Sequence, residues 1–236
     1  MIIVMNSTNQ TKTLLCYGDS NTWGNVPRSD DRYPKNVRWP GALQNLLGSE
    51  YEVVSEGLCG RTFVAQDPAK PHRTGITHLQ AILESADPID LLIIMLGTND
   101  VKTTYGLSLK EIASNLEQTI EFVKNKKIAD VSGLGDPSKT NNLSTLDLAK
   151  IPKILVICPP PVIVPKTGDL DKRMVPGLEA FKILPSLYKE VAEKHACGFI
   201  NAGDYITSSK IDGYHLDSDS HLKLAEVISK WVEENV

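Results

Sequence analysis

The 236 residues carry 25 Lys and Arg against 29 Asp and Glu, a formal charge of −4, with 41% hydrophobic residues. A chain of this length buries a core without disulfide or metal staples. It lacks the basic excess by which a phosphate-backbone binder releases counterions, so nucleic acid is not expected as a partner. No run of about 18 apolar residues occurs, as a membrane span requires, and MIIVMNSTNQTK lacks the basic region of a signal peptide, so a soluble chain is expected.

From the N-terminus, Thr13 to Tyr17 reads as a buried strand that runs into Gly18-Asp19-Ser20-Asn21-Thr22-Trp23-Gly24. Gly18 permits a tight strand-to-helix turn, and a serine there presents its hydroxyl beside helix N-terminal amides. The same residues suit a plain helix N-cap by Asp19 or Ser20, and both readings stand on this segment alone. Asn25 to Val37, rich in charge and proline, reads as an excursion from the core. Trp39 to Leu47 has helical spacing, and Tyr51 to Ser55 is the second strand. The loop Glu56 to Thr62 follows, where Gly60 lets backbone approach a ligand and offers an amide to an oxyanion; two loop glycines are weak evidence alone.

Thr77 to Ser85 has helical spacing, and Asp90 to Leu96 is a third strand, apolar from Leu91 onward, that ends in Gly97-Thr98-Asn99-Asp100. Asn99 offers an amide donor to a developing oxyanion and Asp100 a cap for the next helix. Equally, Asn and Asp simply end strands in turns. Ser108 to Lys127 has helical spacing, and Ala129 to Lys150 is a polar excursion containing GLGDPSKTNN. Lys153 to Cys158 is the fourth strand, followed by the stiff run from Pro159 to Pro165. Gly177 to His195 reads as a helix, Gly198 to Asn201 as the fifth strand, and a last helix follows His221.

This βα alternation predicts an α/β fold: a three-layer α/β/α sandwich with a five-stranded parallel sheet, flavodoxin-like, in one domain over residues 1–236. Ligands of such sheets bind beyond the carboxyl ends of the strands. That rule selects the segments after each strand, the last of which contains Asp212-Gly213-Tyr214-His215. A turn there lets the carboxylate hold one ring nitrogen and leaves the other free to take a serine proton. An ordinary turn with a surface Asp and a partly buried His fits the same residues. Cys16, Cys59, Cys158 and Cys197 are widely spaced, without metal or redox spacing, which suggests free thiols and a cytoplasmic location.

Taken together, the segments resemble the SGNH, or GDSL, hydrolases, whose four sequence blocks occur in the same order across nearly the whole chain. The resemblance implies the SGNH hydrolase fold, with Ser20 of GDSN as nucleophile and Asp212 and His215 of DGYH as the remaining catalytic pair. It implies Ser20, Gly60 and Asn99 as donors of the oxyanion hole. GDSNTWG, RWPGAL, EGLCGRT, IIMLGTNDVK and DGYH look most like the arylesterase and acyltransferase branch. Asn21 departs from the usual leucine, which touches local packing and substrate preference but not the nucleophile. His221 is the rival base, yet only His215 has Asp212 at the family spacing, and His221 suits a structural histidine.

His72, His78 and His195 have no comparable partners in sequence, so no metal site is expected, and the acyl-enzyme chemistry that the resemblance implies requires no cofactor. Trp23, Pro160 and Val162 are candidate substrate contacts at the mouth, with packing as their alternative role. The implied activity is a serine esterase that hydrolyses or transfers short acyl groups of small carboxylic esters through an acyl-enzyme, in a homo-oligomer. Carbohydrate O-acetyl esters, thioesters and lipids are alternatives within the family. A flavodoxin-like binding module that uses GDSNTWG as an anion-binding turn is the competing class, but it leaves GTND and DGYH without a purpose.

Overall fold

The computed structural model describes residues 11–125 and 148–236. Its five strands are β1 (Lys12–Gly18), β2 (Tyr51–Gly57), β3 (Leu91–Met95), β4 (Lys153–Cys158) and β5 (Gly198–Asn201), all parallel in the order β2-β1-β3-β4-β5. The central β3, LLIIM, is buried throughout, as expected of a strand with helices on both faces. Gly18 pairs with both Gly57 and Met95, so the carboxyl ends of β1, β2 and β3 finish level and their loops open on one edge.

Side chains alternate between two cores because successive strand residues point to opposite faces. Leu15, Tyr17, Leu92 and Ile94 pack with α3 (Gly75–Ala86), α4 (Leu109–Asn125) and α6 (Leu184–Lys194). Leu14, Cys16, Leu91 and Ile93 pack with α2 (Trp39–Leu47) and α7 (Ser218–Asn235) through Trp39, Leu43, Leu224 and Ile228. Truncating a fully buried residue such as Leu92 or Ile93 to Ala costs about 2–5 kcal/mol. The three-layer α/β/α architecture expected from the alternation of strands and helices is the one observed.

Local chemistry sets the helix ends. The short α1 (Ser20–Trp23) starts where the Asn21 N–H donates to the Asp19 carboxylate and stops at Gly24, φ 89°. Ser108 and Glu111 cap α4 reciprocally: the Glu111 carboxylate accepts from the Ser108 N–H at 2.7 Å and the Ser108 hydroxyl from the Glu111 N–H at 3.3 Å. The single helix expected over Gly177–His195 is instead α5 (Gly177–Ala180) and α6, separated by a turn. Pro185 is the cause: it lacks an N–H and clashes with the preceding turn, so it sits near a helix start. The last helix begins at Ser218, before His221, because the Asp217 carboxylate caps Ser220.

Of the two expected excursions, residues 129–147 lie outside the described residues, while Asn25–Val37 folds back over the strand ends through the bridge Asn25↔Arg32. Among the described residues no helix is long and apolar enough to cross a membrane. All four cysteines are free, Cys16 and Cys158 buried, Cys59 and Cys197 half-buried.

Candidate active site

Ser20 is the first residue of α1, immediately beyond β1, and is 6% exposed. The loop after β5 brings His215 to it across 195 residues of sequence, with Nε2 of the imidazole 3.0 Å from Oγ of Ser20. Nδ1 lies 2.7 Å from Oδ2 of Asp212. Burial raises the Asp212 pKa, but the hydrogen bond and charge of His215, with the amides of His215 and Tyr214, outweigh it and hold the group below its ordinary value. An ionised carboxylate can only accept, so Nδ1 carries the proton and Nε2 is left as an acceptor for the serine hydroxyl.

The Asp212 carboxylate is fully engaged. Oδ1 accepts from the N–H groups of Tyr214 at 3.2 Å and His215 at 3.1 Å, and Oδ2 accepts from the Arg28 N–H at 3.1 Å. Arg28 adopts φ 57°, a left-handed conformation costly for a residue with a Cβ, in order to aim that amide. Gly213 makes the loop possible. Its φ is 91°, and a Cβ there would meet the Ile163 carbonyl oxygen at 2.2 Å. Ile163 in turn donates its N–H to the Gly213 carbonyl at 2.8 Å, so the proline-rich loop after β4 supports this turn.

Gly60 follows β2 and Asn99 follows β3, the two strands that flank β1. Asn99 is 4% exposed; its Nδ2 donates to the Arg61 carbonyl at 3.0 Å and, at a longer 3.4 Å, to Asp19, while its Oδ1 accepts from Nζ of Lys102 at 2.6 Å. Those partners fix which way the amide faces. Among the described residues, neither the Ser20 nor the Gly60 N–H has an acceptor in the protein. Gly60 has φ 80°, and a Cβ there would meet Nη1 of Arg73 at 2.6 Å. Two carboxyls sit behind this wall. Burial raises the pKa of Asp19, against the pull of the Asn21 amide and of nearby positive charge. Burial raises Asp100 to about 7; the Phe63 amide opposes this and Asp19's charge adds to it.

The structure thus brings together Ser20, Asp212 and His215, with Asn99 and Gly60 on loops at the same edge of the sheet. His221 is elsewhere: fully buried, with Nδ1 accepting from the Trp39 N–H at 3.3 Å. An open cleft of about 320 Å³ over His215 is lined by Asn25, Arg28, Ser29, Asp30 and Tyr214. None of the expected contacts Trp23, Pro160 and Val162 lines it. The Trp23 ring lies under the Arg32 guanidinium at 4.7 Å, Pro160 is buried, and Val162 is 3% exposed in the core cluster of Val101 and Met174, the packing role that was its alternative. A larger cavity of about 750 Å³ lies at the amino ends of β4 and β5, away from these groups.

Sequence reasoning missed Arg28 and Lys102. Arg28 acts through a backbone amide, which leaves no mark in sequence; Lys102 was visible three positions after Asn99. His195 was given no partner, but its Nε2 lies 2.6 Å from Glu117. The ligand atoms of Glu117, Glu121 and His195 lie within 4.8 Å of one another, although Glu117 already pairs with Lys194 at 2.6 Å.

An α/β/α hydrolase is the class that this fold and this serine–histidine–aspartate chain define. Residues 16–225 match the GDSL-like Lipase/Acylhydrolase family, a family of ester-hydrolysing enzymes, and the chain belongs to it. It is similar to the acetylxylan esterase of Xylanibacter ruminicola, with 28% identity over 200 residues; the match covers 81% of this chain, which spans 38% of that relative's length. Among solved structures it is similar to a carbohydrate acetylesterase from Sinorhizobium meliloti, with 34% identity, TM-score 0.81, and coverage of 95% of this chain and 100% of that one. The inhibitor-bound aryl esterase of M. smegmatis is similar at 30% identity and TM-score 0.81, covering 95% of this chain and 100% of that one.

Proposed function

We propose that this chain is a serine esterase that removes short acyl groups from small carboxylic esters, with Ser20 as nucleophile, His215 as base and Asp212 as its orienting acid. The observation that carries this reading is the unbroken chain from the Ser20 hydroxyl through the His215 imidazole to the Asp212 carboxylate, at 3.0 and 2.7 Å. As Oγ bonds to the ester carbonyl carbon, its proton passes to Nε2, and Asp212 stabilises the resulting imidazolium. The carbonyl oxygen becomes an anion facing the N–H groups of Ser20 and Gly60, and Nδ2 of Asn99 is the third donor once it exchanges its long 3.4 Å contact with Asp19 for the anion. The carbon–alkoxide bond then breaks, the alcohol leaves with the proton from Nε2, and an acyl-enzyme remains. Water, activated by the neutral imidazole, releases the acid; another alcohol entering the same place receives the acyl group instead.

Acetyl esters of carbohydrates are the favoured natural class, supported by the likeness to the acetylxylan and carbohydrate acetylesterases. Two further expectations belong to this reading. Half-exposed Val175 and Ile183 support a homo-oligomer, and four free thiols support a reducing cytoplasm. The test is labelling of the intact protein with a fluorophosphonate, followed by turnover of acetyl, butyryl and octanoyl esters. Ser20 is expected to be the labelled residue, Ser20→Ala to remain unlabelled, and acetyl to be turned over fastest. An unlabelled wild type sinks the nucleophile assignment, and a preference for octanoyl sinks the acyl class.

A further inference from the structure

The residue that sets this chain's first motif apart from GDSL is Asn21, and it is 1% exposed. Its Nδ2 donates to the carbonyl of Tyr214 at 3.1 Å, and its Oδ1 accepts from the N–H of Leu216 at 3.0 Å. That carbonyl belongs to the residue before His215 and that amide to the residue after it, so one side chain brackets the imidazole's own backbone. The carbonyl only accepts and the N–H only donates, which fixes the orientation of the Asn21 amide. Asn21 also follows Ser20 directly in α1, and its own N–H is held by Asp19 at 2.9 Å.

We propose that Asn21 is a positioning residue that ties the DGYH loop to the nucleophile's helix and thereby sets His215 over Ser20. The proposal rests on the Ser20–His215–Asp212 reading above. Other hydrogen bonds of the loop run elsewhere. Ser209 donates to the His215 carbonyl at 2.7 Å and Gly213 to Ser209 at 2.9 Å, within the loop itself. Ile163 holds Gly213 from the loop after β4, and the Arg28 N–H holds Asp212 from the segment over the site. Among the described residues, only Asn21, besides the reacting hydroxyl, joins this loop to α1. A leucine at this position fills similar space but can make neither bond, which leaves the part-buried Tyr214 carbonyl and the buried Leu216 N–H to find other partners. Proton transfer over 3.0 Å is sensitive to a shift of the imidazole, and a misplacement of about 1 Å can cost about 10²-fold in rate.

The experiment compares wild type with Asn21→Leu and Asn21→Asp, measuring kcat and KM on a short-chain aryl acetate, the rate of fluorophosphonate labelling, and a thermal melt. Asn21→Leu is expected to fold, to lose about 10- to 100-fold in kcat with KM unchanged, and to be labelled slower by the same factor. Asn21→Asp keeps an acceptor for Leu216 but loses the donor to Tyr214, and is expected to fall between. Folded variants with wild-type kcat and labelling, whatever their melting temperature, overturn the proposal, as does a loss confined to KM. If neither variant folds, Asn21 serves folding alone and the proposal is likewise overturned. A wild type that is not labelled at Ser20 overturns the esterase reading itself, and this proposal with it.

Discussion

His215 and His221 are six positions apart in the chain and sit in opposite surroundings. His215 borders the open cleft, with an ionised carboxylate at one ring nitrogen and a hydroxyl at the other. His221, on α7, is sealed against the start of α2, with the Tyr33 and His221 rings edge to face and their centroids 5.5 Å apart. Its Nδ1 takes the Trp39 N–H, one of the N–H groups that the first turn of α2 cannot satisfy itself. Burial above all drives its pKa down to about 4; Asp217 opposes this, and the charges of His215 and Arg38 reinforce it. A proton on Nδ1 would remove the acceptor and place a cation at the positive end of a helix dipole. One imidazole is therefore placed to move a proton and the other to refuse one.

Exchanging the two histidines for alanine is the strongest way to break this contrast. His215→Ala, like Ser20→Ala, is expected to lose on the order of 10⁶ in kcat, because a triad member acts only with its partners. His221→Ala is expected to keep kcat per folded molecule while losing about 1–3 kcal/mol of stability, since the buried Trp39 N–H loses its acceptor. Steady-state kinetics and urea unfolding on the same preparations check both. Equal losses of kcat with folding preserved would erase the distinction and reopen the choice of base.

A smaller contrast of the same kind separates Asn99, the proposed oxyanion donor, from Lys102, whose ammonium donates to the Asn99 Oδ1. Asn99→Ala is expected to lose about 10²–10³ in kcat with little change in KM, as when one oxyanion donor is removed. Lys102→Met leaves the donor in place but frees its Oδ1, so a lesser loss, again in kcat, is expected. If Asn99→Ala lowers only the melting temperature, the residue is a turn former. If Lys102→Met exceeds Asn99→Ala, the ammonium itself acts on the substrate.

The sheet was legible because its strands carry short apolar or β-branched runs between segments of helical spacing, and the candidate site because its side chains fall at the strand ends in short motifs. What stayed hidden depends on contacts between distant segments. The Arg28 amide reaches Asp212 across 184 residues, and His195 reaches Glu117 across 78. Helical periodicity over Gly177–His195 masked the break that Pro185 imposes. Val162 looked like a wall of the mouth because it follows prolines after a strand, yet the chain turns it into the core. Asn21 was noticed as a departure, but only the folded chain brings Tyr214 and Leu216 to it.

The smallest effect probes the sealed histidine by pH. His221 holds its proton only below about 4 when folded but below its ordinary 6.5 when unfolded, so between those values the unfolded chain binds more protons. Stability from this group is therefore complete above 6.5 and is lost as pH falls to about 4. A drop from 6.5 to about 4, at 1.36 kcal/mol per pH unit, amounts to about 3 kcal/mol. Asp100 acts with the opposite sign. Its pKa rises from 3.8 to about 7, so its contribution is complete below 3.8 and disappears as pH rises through 7. The two slopes overlap, and the wild-type curve alone mixes them. Urea unfolding of wild type and His221→Asn in parallel removes the Asp100 slope, which both proteins share. The advantage of wild type over the variant is expected to be constant above pH 6.5 and to shrink by about 3 kcal/mol as pH falls to about 4. A difference that does not change with pH would mean that His221 titrates alike in folded and unfolded chains, and the electrostatic half of its contrast with His215 would be lost.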